Sequence, residues 1–111
     1  MYVIERADNV GREKNTTTVN SDAPICLTAF AAATNADRMA VQITNNDTAQ
    51  VLYLKWNGSD SVAPTITATN YYEKLNPGAS ITLGFGKAIQ VWAINDTSPS
   101  ASTIATAVEL R

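Results

Sequence analysis

The sequence predicts an all-β fold: a single-domain antiparallel β-sandwich, jelly-roll-like, with a partly extended N-terminal arm. Short segments of alternating apolar and polar residues recur along the chain with turn signals between them, a pattern typical of sandwiches and barrels. The 111 residues include 14 threonines, 7 serines and 10 asparagines, many of them between these segments. This length suits one core. We expect residues 1–22 to be an arm or edge strand and residues 23–111 to be the sandwich.

The middle of the chain has the clearest alternation. Two apolar sets are expected to point inward: Met39, Val41 and Ile43, followed by Leu52, Leu54 and Trp56. Between them, residues 45–48 read Asn-Asn-Asp-Thr, side chains that bond their own backbone in turns. The two segments are therefore predicted to pair as an antiparallel hairpin.

The second half continues the pattern with less polar strands. Asn76-Pro77-Gly78 predicts a turn, because proline fixes φ at its first central position and glycine supplies a positive φ at the next. Residues 88–94 are apolar on both faces, which predicts a strand covered on both sides, by a second sheet or by another subunit. The last segment separates two sets of side chains. One set is Ile104, Val108 and Leu110, and the other is Thr103, Ala105, Ala107 and Glu109.

Composition argues against an enzyme. The chain has no histidine and a single cysteine, so it lacks the commonest general base and the usual ligands of zinc and copper. Most aspartates fall in turns, where backbone hydrogen bonding explains them, and no metal or cofactor is expected. A formal net charge of −2 without a basic stretch argues against nucleic acid. No apolar run is long enough to cross a membrane.

Aromatic side chains are the candidates for contact with a partner. Trp56 shares its face with Leu52 and Leu54 and is predicted to lie in the core. Trp92 is predicted to be buried against a subunit or partner. The full set of predicted interface residues is Tyr2, Ile4 and Arg6 in the arm, with Tyr53, Tyr71, Tyr72 and Trp92 in the sandwich.

The order of segments resembles a known family. The segments are RMAVQITN from Arg38, VLYLKW from Val51, LNPGASITL from Leu75 and AIQVWA from Ala88. Over residues 38–110 this pattern is similar to the small β-sandwich decoration proteins, called cement or staple proteins, of tailed and especially short-tailed phage capsids. Other phage structural sandwiches share the pattern, and nothing specific carries over to residues 1–36.

The resemblance implies a non-enzymatic virion protein on the capsid exterior, made in the host cytoplasm. Such proteins bind the outer surface of the shell and stabilise contacts between major capsid subunits, often as homo-oligomers; here a dimer is favoured over a trimer. Two alternatives remain open at this point. One is a carbohydrate- or receptor-binding module in which Tyr71, Tyr72 or Trp92 stacks on sugar rings, and the other is a tail or head-completion part.

Overall fold

A computed structural model describes residues 14–19, 21, 23–28, 39–58, 62–86, 88–95 and 103–110. Eight strands lie within these ranges, and the described residues contain no helix. The strands are β1 (Lys14–Val19), β2 (Ile25–Cys26), β3 (Ala40–Asn45), β4 (Leu52–Gly58), β5 (Glu73–Leu75), β6 (Ser80–Leu83), β7 (Ile89–Asn95) and β8 (Thr103–Leu110).

The strands form two four-stranded sheets. The first sheet has the order β1-β8-β3-β6 and the second has the order β2-β7-β4-β5. Every pairing between the described strands is antiparallel. Except for β4 and β5, successive strands lie in different sheets, which is the connectivity of a jelly roll. The predicted antiparallel β-sandwich is confirmed.

The predicted hairpin between the segments now seen as β3 and β4 is wrong. β3 pairs with β6 and β8 in the first sheet, whereas β4 pairs with β5 and β7 in the second. The buried Asn45 side chain fixes the crossing, because its amide nitrogen donates to the carbonyl oxygens of Gln50, at 2.8 Å, and Leu75, at 3.0 Å. The two strands therefore share a core without sharing backbone hydrogen bonds.

A second crossing lies beside the first. The Ala79 amide donates to the Asn76 carbonyl at 2.9 Å, and Gly78 has a φ of 81°, as the predicted Pro-Gly turn requires. The Gly78 amide also donates to the Asn45 carbonyl at 2.9 Å. Because one asparagine binds both loops, it holds the β3–β4 and β5–β6 crossings together.

The main core lies between the sheets and is aliphatic. Its buried members come from six strands and from Leu27, and they include the side chains predicted to point inward from the β3 and β4 segments, except Met39 and the half-buried Trp56. They are Val19, Leu27, Val41, Ile43, Leu52, Leu54, Leu75, Val91, Ala93, Ala105 and Ala107. Met39 precedes β3 and is 72% exposed. Burying each large aliphatic side chain stabilises the fold by about 1.5–3 kcal/mol, so the core accounts for the closure of the two sheets.

The last strand, β8, turns two alanines and Glu109 inward. Ala105, Ala107 and Glu109 are buried, while Ile104 is 48% exposed. Nearby, the Asn95 amide nitrogen of the second sheet donates to the Val19 carbonyl of the first sheet at 3.2 Å. This bond requires the sheets to approach closely, and alanine side chains leave room for that approach. The larger apolar side chains of β8 consequently lie on the outside.

Part of the expected arm is an edge strand. β1 pairs with β8 along its length, from Lys14 opposite Val108 to Val19 opposite Thr103. The arm residues proposed for contact, Tyr2, Ile4 and Arg6, lie outside the described residues. Their role stays a prediction.

Candidate binding surface

Three aromatic rings meet where the edges of the two sheets come together. The Trp56 ring centroid lies 5.1 Å from that of Tyr72, with the rings edge to face, and 5.2 Å from that of Phe85. These separations are typical of favourable aromatic pairs. We call Trp56, Tyr72 and Phe85 the aromatic patch.

Strand lengths explain why the patch forms there. β5 pairs only with residues 52–54 of β4 and ends before it reaches Trp56. The ring of Tyr72, the residue before β5, packs against Trp56, and the Tyr72 amide donates to the Leu54 carbonyl at 2.9 Å. Phe85 follows the other edge strand, β6, and approaches from the first sheet. The patch therefore bridges both sheets on the side bounded by β5 and β6.

The patch is anchored on its inner side and accessible on its outer side. Trp56 and Phe85 are half-buried and pack against the main core. Tyr72 is 56% exposed, and the Lys55 ammonium lies 5.3 Å from its ring centroid. A rigid aromatic surface beside a cation suits contact with a macromolecule, since aromatic anchors held in place by packing lose little freedom on binding.

The outer face of the second sheet is covered by the chain itself. Tyr53 and Ile94, opposite each other on β4 and β7, are buried beneath Ile66. Tyr71 packs on the same cluster, its ring centroid 4.9 Å from that of Tyr53. We call residues 62–70 the covering segment. They lie in neither sheet.

A side-chain relay attaches the covering segment to the sheet. Asn57 on β4 donates from its amide nitrogen to the Val62 carbonyl at 2.8 Å. Its amide oxygen accepts from the Trp92 indole nitrogen at 3.0 Å. At the other end, Thr67 and Asn70 exchange backbone hydrogen bonds in a tight turn. Trp92 is half-buried and packs against the cluster of Tyr53, Ile66 and Ile94.

The predicted interface residues consequently divide into two groups. Tyr53 is 7% exposed and Trp92 is half-buried, so both contribute to the packing of the covering segment. Tyr71 and Tyr72 keep exposed surface of 38% and 56%. Of the residues predicted in the sandwich, these two present accessible rings.

Sequence reasoning missed Phe85 and placed Trp56 in the core. Trp56 does pack on the core, but its ring also forms the centre of the patch. Phe85 stands between Gly84 and Gly86, and the sequence indicates only a turn there. A lone aromatic residue in a glycine turn that follows an edge strand is the signal that could have identified it.

The loop that follows β3 carries an ordered carboxylate. Asp47 accepts hydrogen bonds from the amides of Ala49, at 2.8 Å, and Gln50, at 3.0 Å. These two bonds, the Ala49 bond first, lower the pKa of Asp47 below its ordinary value of 3.8, because they favour the charged form. The carboxylate orders this loop, as the sequence predicts for its turn aspartates.

The described residues offer little for metal or thiol chemistry. No group of three His, Cys, Asp or Glu side chains comes together there in a way that could hold a metal ion. Cys26 is half-buried, and its Sγ lies 3.5 Å from the Thr28 hydroxyl oxygen. Across the same ranges there is no helix long and apolar enough to span a membrane.

Comparison with known proteins adds no family. The chain matches no protein-family model, no curated protein and no solved structure.

Proposed function

We propose that this chain is a non-enzymatic virion structural protein that binds the outer surface of a phage capsid and stabilises contacts between major capsid subunits. The observation that carries the proposal is the aromatic patch, which presents Tyr72 at 56% exposure on the side bounded by two edge strands. The resemblance in the order of segments over residues 38–110 supports the choice of partner.

In this region, binding of a protein partner through the side chains of the patch is favoured over addition of a partner's strand to a sheet edge. The neighbouring edge strands β5 and β6 have only 3 and 4 residues, and short edges limit backbone pairing with another chain. Binding would then depend on side chains, and Trp and Tyr are the residue types most enriched among interface hot spots. The Lys55 ammonium, 5.3 Å from the Tyr72 ring centroid, adds a positive charge beside the patch, and Glu73, the residue after Tyr72, adds a negative one.

Co-sedimentation with purified mature capsids of the encoding virus tests this proposal. We expect the wild-type chain to saturate the shells and Tyr72→Ala to bind at least about tenfold more weakly, the loss of about 1.4 kcal/mol typical of an interface aromatic. Val62→Ala, at an 83% exposed position of the covering segment, is the matched control and should bind normally. Absence of wild-type binding to the shells would reject the capsid as partner.

The arm is tested separately in the full-length chain. We expect the double substitution Tyr2→Ala and Ile4→Ala to lower shell occupancy if the arm contacts capsid subunits. Unchanged occupancy would remove the arm from the proposal while leaving the aromatic patch in place.

A carbohydrate- or receptor-binding role is the second candidate. The exposed rings of Tyr71 and Tyr72 favour it, because an accessible aromatic face can stack on a sugar ring. A glycan array with the wild-type chain and Tyr72→Ala distinguishes the two proposals. Glycan binding that depends on Tyr72, without binding to capsids, would select this alternative.

A further inference from the structure

The covering segment is attached to the second sheet at few points. Of its nine residues only Ile66 is buried, Pro64 is half-buried and the other seven are exposed. Val62, for example, keeps 83% of its surface accessible. A single buried side chain therefore provides most of the apolar contact between this segment and the sheet.

The backbone of the segment adds little further attachment. Among the described residues, its backbone hydrogen bonds join Thr67 and Asn70 to each other, at 3.0 and 3.1 Å, and close a turn without reaching a strand. The sheet holds the segment instead through the side-chain bond from Asn57 to the Val62 carbonyl. Regions with few buried apolar contacts and few backbone bonds to the rest of the fold open at a lower free energy than the core does.

The sheet under the segment is paired independently of it. β4 and β7 pair from Leu52 opposite Asn95 to Gly58 opposite Ile89. The Tyr72 amide donates to the Leu54 carbonyl at 2.9 Å, so the chain rejoins the sheet soon after the segment ends. Release of residues 62–70 would leave these bonds and the aromatic patch in place.

We propose that the covering segment opens as a unit while both sheets stay folded, and that its opening uncovers the apolar cluster of Tyr53, Ile94 and Trp92. In the closed form Tyr53 is 7% exposed and Ile94 is 6% exposed, and both share a cluster with Ile66. Burial of Ile66 favours the closed form, whereas the freedom that nine backbone residues regain favours the open form. The open form is consequently far more populated than the unfolded chain.

Thiol labelling of the folded protein measures this opening, which is independent of the proposed function. In a Cys26→Ser background, which removes the only cysteine, Ile94→Cys places a thiol under the segment and Val91→Cys places one in the main core, on the same strand. We expect the thiol at position 94 to react at least about 100-fold faster than the thiol at position 91. Its rate should hardly change in dilute urea, because local opening exposes little surface, whereas the rate at position 91 should rise steeply.

Equal rates with the same urea dependence at the two positions would overturn the proposal, because the segment would then leave the sheet only when the whole chain unfolds. Adding Ile66→Ala should raise the rate at position 94 at least about tenfold, since it removes the side chain that holds the segment closed. Val62→Ala, at an exposed position of the same segment, is the matched control and should change that rate by no more than about twofold. An unchanged rate in Ile66→Ala would also contradict the proposal, since the reagent would then reach the thiol without opening of the segment.

Proteolysis of the wild-type chain provides a second measurement that requires no variant to fold. Thermolysin cleaves before large apolar residues, and it must bind the side chain of Ile66, which is buried in the closed form. We expect cleavage of the bond between Thr65 and Ile66 at a rate that dilute urea hardly changes, because cleavage of a transiently open segment follows the population of the open form. Cleavage there only at the rate of cleavage within β4 and β7, and with the same urea dependence, would overturn the proposal.

Discussion

The two outer faces of the sandwich differ in how far their apolar side chains are covered. Each sheet carries apolar side chains on the side away from the core. On the second sheet the covering segment places Ile66 over Tyr53 and Ile94, and all three are less than a tenth exposed. On the first sheet no described residue plays that part, and Ile104 keeps 48% of its surface accessible.

The difference shows how connection length affects a sheet face. The link from β4 to β5, two neighbours in the second sheet, runs over residues 59–72 and is long enough to cross the outer face. The connection from β5 to β6 is a turn of residues 76–79, too short to cover anything. The second sheet's outer face is thus closed where the covering segment passes over it, whereas no described segment passes over that of the first sheet.

The largest effect expected from this comparison concerns Ile66. Ile66→Ala should lower the free energy of unfolding by about 2–4 kcal/mol, because it removes a buried side chain and leaves a cavity above Tyr53 and Ile94. Urea denaturation measures the change. Val62→Ala in the same segment should change stability by no more than about 0.5 kcal/mol. Equal effects at the two positions would contradict a packed cover.

The second expected effect concerns the relay that attaches this cover. Trp92→Phe removes the hydrogen bond from the indole to Asn57 and should cost about 1–2 kcal/mol, including the smaller ring. Denaturation of Trp92→Phe, Asn57→Ala and the double variant forms a double-mutant cycle. The combined loss should be smaller than the sum of the single losses. Strict additivity would mean that the two side chains are not coupled.

On the first sheet, Ile104→Thr should have a small effect on stability. Measured by urea denaturation, its stability should stay within about 0.5 kcal/mol of wild type, since the side chain is already half accessible. A loss above about 1.5 kcal/mol would show that this face is covered within the chain, and the contrast between the two faces would fail.

The smallest effect concerns the loop beside Ile104 and depends on pH. The folded pKa of Asp47 is lowered, so its charged form stabilises the fold above the unfolded pKa, and that contribution is lost as pH falls through the folded pKa. Asp47→Asn should therefore lower Tm slightly near neutral pH and have no effect in strong acid. Thr48→Ala should show no such pH dependence. A Tm difference that persists in strong acid would assign the effect of Asp47→Asn to packing.

Much of the fold could be predicted because period-2 alternation reports directly on burial. It identified Val41 and Ile43 on β3, and Leu52 and Leu54 on β4, as inward residues, and all four are fully buried. The Pro-Gly turn was predictable for a local reason, since the φ of Gly78 is set by the turn itself.

Strand partners were not predictable in the same way. Alternation shows which side of a strand is apolar but not which strand lies beside it, so β3 and β4 fit a hairpin and a crossing equally well. The hydrogen bond from the Asn45 side-chain amide to the carbonyl of Leu75, 30 residues away, decides between these two arrangements. The aromatic patch depends on similarly distant contacts, because Trp56, Tyr72 and Phe85 come from three separate segments.

By itself, then, the sequence determined that this chain forms short antiparallel strands around an aliphatic core, because burial and turn geometry act over a few residues. Only the tertiary structure decided which strands pair, which aromatic rings meet and which face of β8 is inside. Those outcomes depend on how closely the sheets approach and on where the connecting segments pass, and both are set by contacts between residues far apart in the chain.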